Sequence, residues 1–238
     1  MKRGVAAGLR APDHNQRMKI LVVGASRGIG LEFVTQARAA AAAVTATARD
    51  EAGLSRLRAL GATALQLDVA QAASAAGLAR QIDGQAFDLV LLNAGVFGPR
   101  SQGLQPPTAA EFDHVMHTNV LGAMQVLPQL AQVLAPQARV VLVSSRMGSL
   151  GMRASNAGWL YRASKAALNS VMKDASLAWA GRAICVAVHP GWVRTDMGGA
   201  GADIEAADSV ATLRQTIAAL TPADNGRFIN YDGQPLVW

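Results

Sequence analysis

Short aliphatic runs recur along the chain, each followed by a stretch whose apolar positions repeat at helical spacing. Lys19–Val23, Ala43–Ala48, Ala62–Leu67, Phe87–Leu92, Arg139–Val143, Ile184–Val188 and Phe228–Ile229 are short, continuous and aliphatic, the pattern of parallel strands buried on both faces. Between them, Ile29–Ala40, Ala52–Leu60, Ala72–Ile82, Thr108–Leu134, Leu160–Ala180 and Ile204–Leu220 carry the three-to-four spacing of helices. Thr108 with Glu111 forms a capping-box pattern, and Pro128 is expected to kink or divide its segment. Strand and helix alternating at this spacing predict an α/β fold: one doubly wound parallel sheet of about seven strands with helices on both faces. No repeat or composition break interrupts it, so residues 18–238 read as one domain. Residues 1–17 read as a polar N-terminal extension outside the fold.

Composition narrows the class. The 238 residues are 51% hydrophobic and 16% charged, too apolar for disorder. A single cysteine, Cys185, excludes an intrachain disulfide and a cysteine-built zinc site. No apolar run reaches membrane-spanning length, and the stretch Val5–Leu9 is too short for a signal segment, so a cytoplasmic protein with no membrane partner is expected. The net charge is +6, but Lys2, Arg3, Arg10 and Arg17 against Asp13 put half that excess in the extension. The rest is scattered without interleaved aromatics, which argues against specific nucleic-acid binding. His114 and His117 share a helix face but lack a third ligand, so no metal site is expected.

The chemistry concentrates at strand ends. The first strand-to-helix turn reads Gly24-Ala25-Ser26-Arg27-Gly28-Ile29-Gly30, a glycine-rich loop of the kind that lets backbone approach a pyrophosphate at a helix N-terminus. An ordinary tight turn would also use glycine. Arg27 lies in this loop and Arg49 closes the second strand, where such folds present the adenosine ribose 2′ position. Arginines there favour a 2′-phosphate, hence NADP(H). Asp50 follows directly, and turned inward it would favour NAD(H) instead. Asp68 at the third strand end suits either an adenine contact or a helix cap. Asn93-Ala94-Gly95 ends the fourth strand at the same edge.

Tyr161 and Lys165 stand four apart on a predicted helix and so share a face. A free phenol titrates near pH ~10, and a neighbouring ammonium is expected to lower that value toward useful proton transfer. Ser145, at the end of the fifth strand, is placed to hold a carbonyl oxygen. Tyrosine and lysine at helical spacing are also common surface features, so the pair gains weight from the glycine-rich strand ends before it.

Taken in order, Gly24-x-x-x-Gly28-x-Gly30, Asn93-Ala94-Gly95, Asn119, Ser145, Tyr161-x-x-x-Lys165 and Pro190-Gly191 resemble the short-chain dehydrogenase/reductase family. The segments His189–Gly199 and Asn230–Gly233 resemble its Sniffer and C-factor-like branch, whose characterised members include carbonyl reductases. The resemblance implies a Rossmann-type sheet and hydride transfer between NADP(H) and a small carbonyl or alcohol. It makes Tyr161 the general acid/base, Lys165 its modulator and a ribose ligand, Ser145 the carbonyl holder and Asn119 the anchor of a water leading to Lys165. It gives Gly24, Ser26, Arg27, Gly28, Ile29, Gly30, Arg49, Asp68, Val69, Asn93, Ala94, Gly95, Pro190, Gly191, Val193 and Thr195 to the cofactor, the last two at the nicotinamide carboxamide. It also implies a homo-oligomer, with a dimer favoured, through helices around Asn119–Leu134 and Leu160–Ala180. Because the C-factor branch has been linked to intercellular signalling, a regulatory protein on the same fold is the alternative function.

Two departures from the family pattern carry expectations. Val23 replaces the threonine that often precedes the first loop glycine, so a hydrogen bond within that turn is expected to be lost. The chain after Pro190 soon reaches a helix near Ile204, leaving little length for a lid and predicting an open pocket. Phe97, Met147, Trp159 and Trp192 are candidate pocket walls, though each suits core packing equally.

Overall fold

A computed structural model describes residues 17–238, so the expected extension lies outside the described residues except for Arg17. Seven strands form one all-parallel sheet in the order β3-β2-β1-β4-β5-β6-β9. They are β1 (Lys19–Val23), β2 (Ala43–Ala48), β3 (Thr63–Gln66), β4 (Phe87–Leu92), β5 (Leu134–Val143), β6 (Ala183–His189) and β9 (Arg227–Asn230). Backbone pairing begins at the first described residues: the Ala43 N–H donates to the Met18 carbonyl. A parallel pair of two residues each, β7 (Val193–Arg194) and β8 (Ile204–Glu205), stands apart from the main sheet.

Strand alternation sends neighbouring side chains to opposite faces, and both faces are buried. Leu21 and Val23 belong to the core beneath α7 (Trp159–Ala178), with Leu168 and Met172. Ile20 and Val22 belong to the other core, beneath α1 (Gly28–Ala39), α2 (Glu51–Ala59) and α8 (Ala206–Ala219), with Phe33, Leu57 and Leu213. The order reverses between β1 and β4, which opens a crevice at the carboxyl ends of these strands.

Three elements differ from the sequence reading. The expected helix Ala72–Ile82 is two pieces, α3 (Ala72–Ala76) and α4 (Leu78–Gln81), parted at Gly77, whose flexible backbone weakens a helix interior. The expected single helix Thr108–Leu134 is a chain of four: α5 (Ala109–Met116), a π-helical turn at His117–Leu121, α6 (Gly122–Val126) and a 3₁₀ turn at Leu127–Leu130 holding Pro128. Leu134 already belongs to β5, which starts five residues before the expected Arg139. Gln137 takes a left-handed φ of 59° and the register with β4 shifts there, so this opening stretch hides from a periodicity reading. The Thr108–Glu111 capping box forms as expected.

Candidate active site

The phosphate-type loop is built by close approach. A Cβ on Gly30 would lie 2.4 Å from the Gly24 carbonyl oxygen and 2.6 Å from Asn93 Nδ2, so only glycine lets α1 start this near the turn. Asn93 Nδ2 donates to that Gly24 carbonyl at 2.7 Å, and the Asn93 and Ala94 N–H groups both donate to the Val23 carbonyl. The Asn93 side chain therefore braces the loop. The hydrogen bond expected to be lost at Val23 is restored from elsewhere. Buried Thr47 on β2 accepts the Gly24 N–H through Oγ1 at 3.0 Å, while its carbonyl accepts from Ala25.

The N-terminus of α1 is left open. Arg27 occupies its cap position in extended conformation without a side-chain cap, and no acid lies in the first turn. By contrast Asp50 caps α2 through the Gly53 N–H at 2.7 Å, and Thr108 with Glu111 closes α5. Unfilled N–H groups at the positive end of a helix suit a pyrophosphate. Asp50 thus holds the start of its own helix through Oδ1. Asp68 accepts from the Ala70 N–H in a local turn, while Gln71 takes the cap position of α3. The Val69 side chain is buried in the core, where a Cβ on Gly122 would come within 2.8 Å of it, leaving only its backbone to face a cofactor.

Tyr161, Lys165, Ser145 and Asn119 converge across the crevice. Tyr161 and Lys165 lie on the buried face of α7, with Lys165 Nζ 5.7 Å from the phenol ring centre. Lys165 Nζ donates to the Val143 carbonyl at the end of β5, at 2.8 Å. Ser145 Oγ accepts the Met147 N–H at 3.1 Å, and its own O–H stands against the Tyr161 phenol. Ser145 is held against α7 by the turn Arg146–Gly148: a Cβ on Gly148 would lie 2.7 Å from the Lys165 carbonyl carbon.

Asn119 sits buried in the π-helical turn, a rare geometry frequent at functional sites. Its amide holds Val96 in the loop after β4, accepting from the Val96 N–H and donating to the Val96 carbonyl, each at 2.8 Å. It also donates to Ser164 Oγ at 2.9 Å. Its side chain is thus engaged by protein, and Gly95 lies between it and the Lys165 ammonium.

The electrostatics of the site differ from the simple expectation. Burial pushes the Tyr161 phenol up to about 12, with the Ser145 hydroxyl pulling it part of the way back. Burial also pulls Lys165 down to about 8. The ammonium does not dominate the phenol because the same low-dielectric surroundings penalise both charges, and Lys165 is directed at a carbonyl.

Of the four candidate walls, Phe97 meets Tyr161 and Met147 lies nearby. Phe97 stacks on Tyr161 with ring centres 4.6 Å apart, and Met147 joins it beside Gly158. Trp159 donates its indole N–H to the Gln105 carbonyl, and Trp192, exposed, donates to Gly198 within its own loop. Thr195 reaches the phosphate loop, its Cγ2 close to Gly28, while Val193 is buried in β7. The Pro190 carbonyl accepts from Ser209, and Gly191 packs near Ile204 and Tyr231.

No sequence motif singles out Thr47, Gly148, Ser164 or Asn169. Asn169 accepts from Ser144 Oγ at 2.6 Å and stands one helical turn beyond Lys165, a polar position on an otherwise buried face. That spacing was the available signal.

Residues 18–205 match the family model for short chain dehydrogenase. C-signal of Myxococcus xanthus is 38% identical over 156 residues, covering 63% of this chain and 92% of that protein. Among solved structures, the carbonyl reductase Sniffer of D. melanogaster aligns with a TM-score of 0.85 at 29% identity, covering 94% of this chain and 100% of that one. The NADPH-bound carbonyl reductase from chicken fatty liver aligns at 0.83 with 29% identity and the same coverage.

Proposed function

The chain belongs to the short chain dehydrogenase family, and from that footing we propose that it is an NADP(H)-dependent carbonyl reductase with Tyr161 as general acid. The observation that carries the reading is the convergence of Tyr161, Ser145 and Lys165 beside an uncapped α1 N-terminus at the sheet's crossover crevice. The likeness to two carbonyl reductases, one of them NADPH-bound, supports it.

The cofactor would lie with its pyrophosphate over Gly24–Gly30 and its nicotinamide end near Thr195 and Lys165. Reduced nicotinamide supplies the hydride when bound. With a substrate bound, the Ser145 O–H donates to its carbonyl oxygen and orients it. Tyr161, protonated at neutral pH because burial holds its proton, gives that proton to the same oxygen as negative charge develops there. Lys165 supplies positive charge next to the phenolate left behind, and the resulting alcohol leaves by the face that Phe97 and Met147 line. In the reverse direction Tyr161 takes the proton back, so alcohol oxidation rises with pH. Arg27 and Arg49, with Asp50 withdrawn to its helix cap, favour the phosphorylated cofactor over NAD(H).

NADPH consumption over a panel of aldehydes and ketones tests the reading. Tyr161→Phe is expected to lose about 10²- to 10⁴-fold in kcat, the usual worth of general acid catalysis, while binding NADPH unchanged. Undiminished turnover in that variant would remove Tyr161 from the mechanism. A second reading, signalling through a partner, is favoured by the likeness to C-signal. It predicts NADPH binding without turnover on any of the panel.

A further inference from the structure

After β9 the chain turns at Asp232–Gly233 and doubles back along the strand it has just left. The Gly233 N–H donates to the Asn230 carbonyl and the Asn230 N–H to the Gln234 carbonyl. Ile229 and Pro235 form an antiparallel bridge, and the Leu236 N–H donates to the Phe228 carbonyl at 2.8 Å. Residues 234–236 therefore run beside β9, the last strand in the sheet order, and Leu236 packs on the core beneath α7.

The next two residues leave the strand and reach the serine turn. The Trp238 ring stacks on buried Phe228, with ring centres 5.5 Å apart. Its carbonyl accepts the Gly151 N–H at 2.9 Å and the Ser149 hydroxyl at 3.3 Å. Val237 closes against the same place, where a Cβ on Gly151 would lie 2.7 Å from Val237 Cγ1. Ser149 is fully buried, and its Oγ also accepts the Met152 N–H at 3.0 Å, so one hydroxyl joins both segments. Ser149 in turn continues the turn that carries Ser145. The Ser149 N–H donates to the Arg146 carbonyl at 3.1 Å and the Gly148 N–H to the Ser145 carbonyl at 2.8 Å.

No helix or strand spans Ser149–Gly158, so the stretch that follows the serine turn takes its position from whatever it is tied to. Gly148 rests on α7 from one side, and Trp238 holds Ser149 and Gly151 from the other. We propose that Trp238 is a positioning residue for the reaction: anchored on Phe228, it fixes the far side of the serine turn and so keeps the Ser145 hydroxyl in line with Tyr161. The inference rests on the reading of Ser145 as the group that holds the substrate carbonyl.

Kinetics of NADPH-dependent reduction test it in Trp238→Ala, Trp238→Phe and Ser145→Ala. Trp238→Ala is expected to lose about 10-fold or more in kcat, as a displacement approaching ~1 Å should, while its Kd for NADPH stays within about twofold. Trp238→Phe keeps an aromatic ring on Phe228 and is expected to recover most of the loss. The Ser145 hydroxyl draws the Tyr161 phenol down, so its displacement should also move the rise of alcohol oxidation to higher pH in Trp238→Ala. Loss of packing alone would lower Tm without moving that profile. Wild-type kcat and pH profile in Trp238→Ala, or a Phe variant no better than the Ala one, overturns the role of Trp238. Ser145→Ala separates the two levels. If it is impaired and Trp238→Ala is not, only the present inference falls. If Ser145→Ala keeps wild-type kcat, or the wild type reduces no carbonyl of the panel, the reading of the site falls with it.

Discussion

His189 closes β6 one residue before Pro190 and is 6% exposed, with Nδ1 buried and unpartnered among the described residues. Burial, with the charge of Arg146 nearby, pulls its imidazole down to about 4. A histidine whose folded value lies below its unfolded one binds fewer protons in the folded state between those two values. Stability is therefore full above about pH 6.5 and falls as pH drops toward 4, by about 3 kcal/mol for this one group. Denaturant titrations at several pH values should show that loss in the wild type and a flatter profile in His189→Gln. Equal slopes would mean that the imidazole finds a partner on protonation. The same burial keeps Cys185 inert, its thiol pushed up to about 12, so the only cysteine takes no part in the chemistry.

At the scale of elements, the site depends on a short turn lying on a long helix. Gly148 lets Arg146–Gly148 rest on the α7 backbone, and that contact fixes how far Ser145 stands from Tyr161. A methyl there overlaps the Lys165 carbonyl and must push the turn outward, at a cost of about 1–3 kcal/mol typical of overpacking. Gly148→Ala is expected to lower kcat well beyond what its modest fall in Tm explains, because it displaces Ser145, the hydroxyl proposed to hold the substrate carbonyl. A variant with lowered Tm and wild-type kcat would show the turn to be a packing feature only. The π-helical turn works in the same way, presenting Asn119 to Val96 and Ser164 at once. Its sequence, His117–Leu121, is an ordinary helical one, so the extra residue in the turn was not legible from periodicity.

For the whole molecule, both faces of the sheet are covered within one chain, yet Phe112, Leu121 and Met124 remain exposed along α5 to α6. Exposed apolar side chains grouped on one surface mark an association site. The homodimer that the family resemblance implies would use this surface, and Leu121→Glu with Met124→Glu should then yield a monomer by sedimentation while the fold persists. A doubly substituted chain that still sediments as a dimer would place the contact elsewhere. The sequence alone determined the strand and helix order, the glycine loop and the Tyr161–Lys165 pair, because these depend on residue type and on spacing within one element. It did not reveal that Thr47 replaces the hydrogen bond missing at Val23, or that Trp238 reaches Ser149 and Gly151. It also suggested that Lys165 would lower the Tyr161 phenol, where burial instead raises it. Each of these depends on which distant segments the sheet and its helices bring within hydrogen-bond reach, and on how much water they exclude. Both are settled only once the chain is packed.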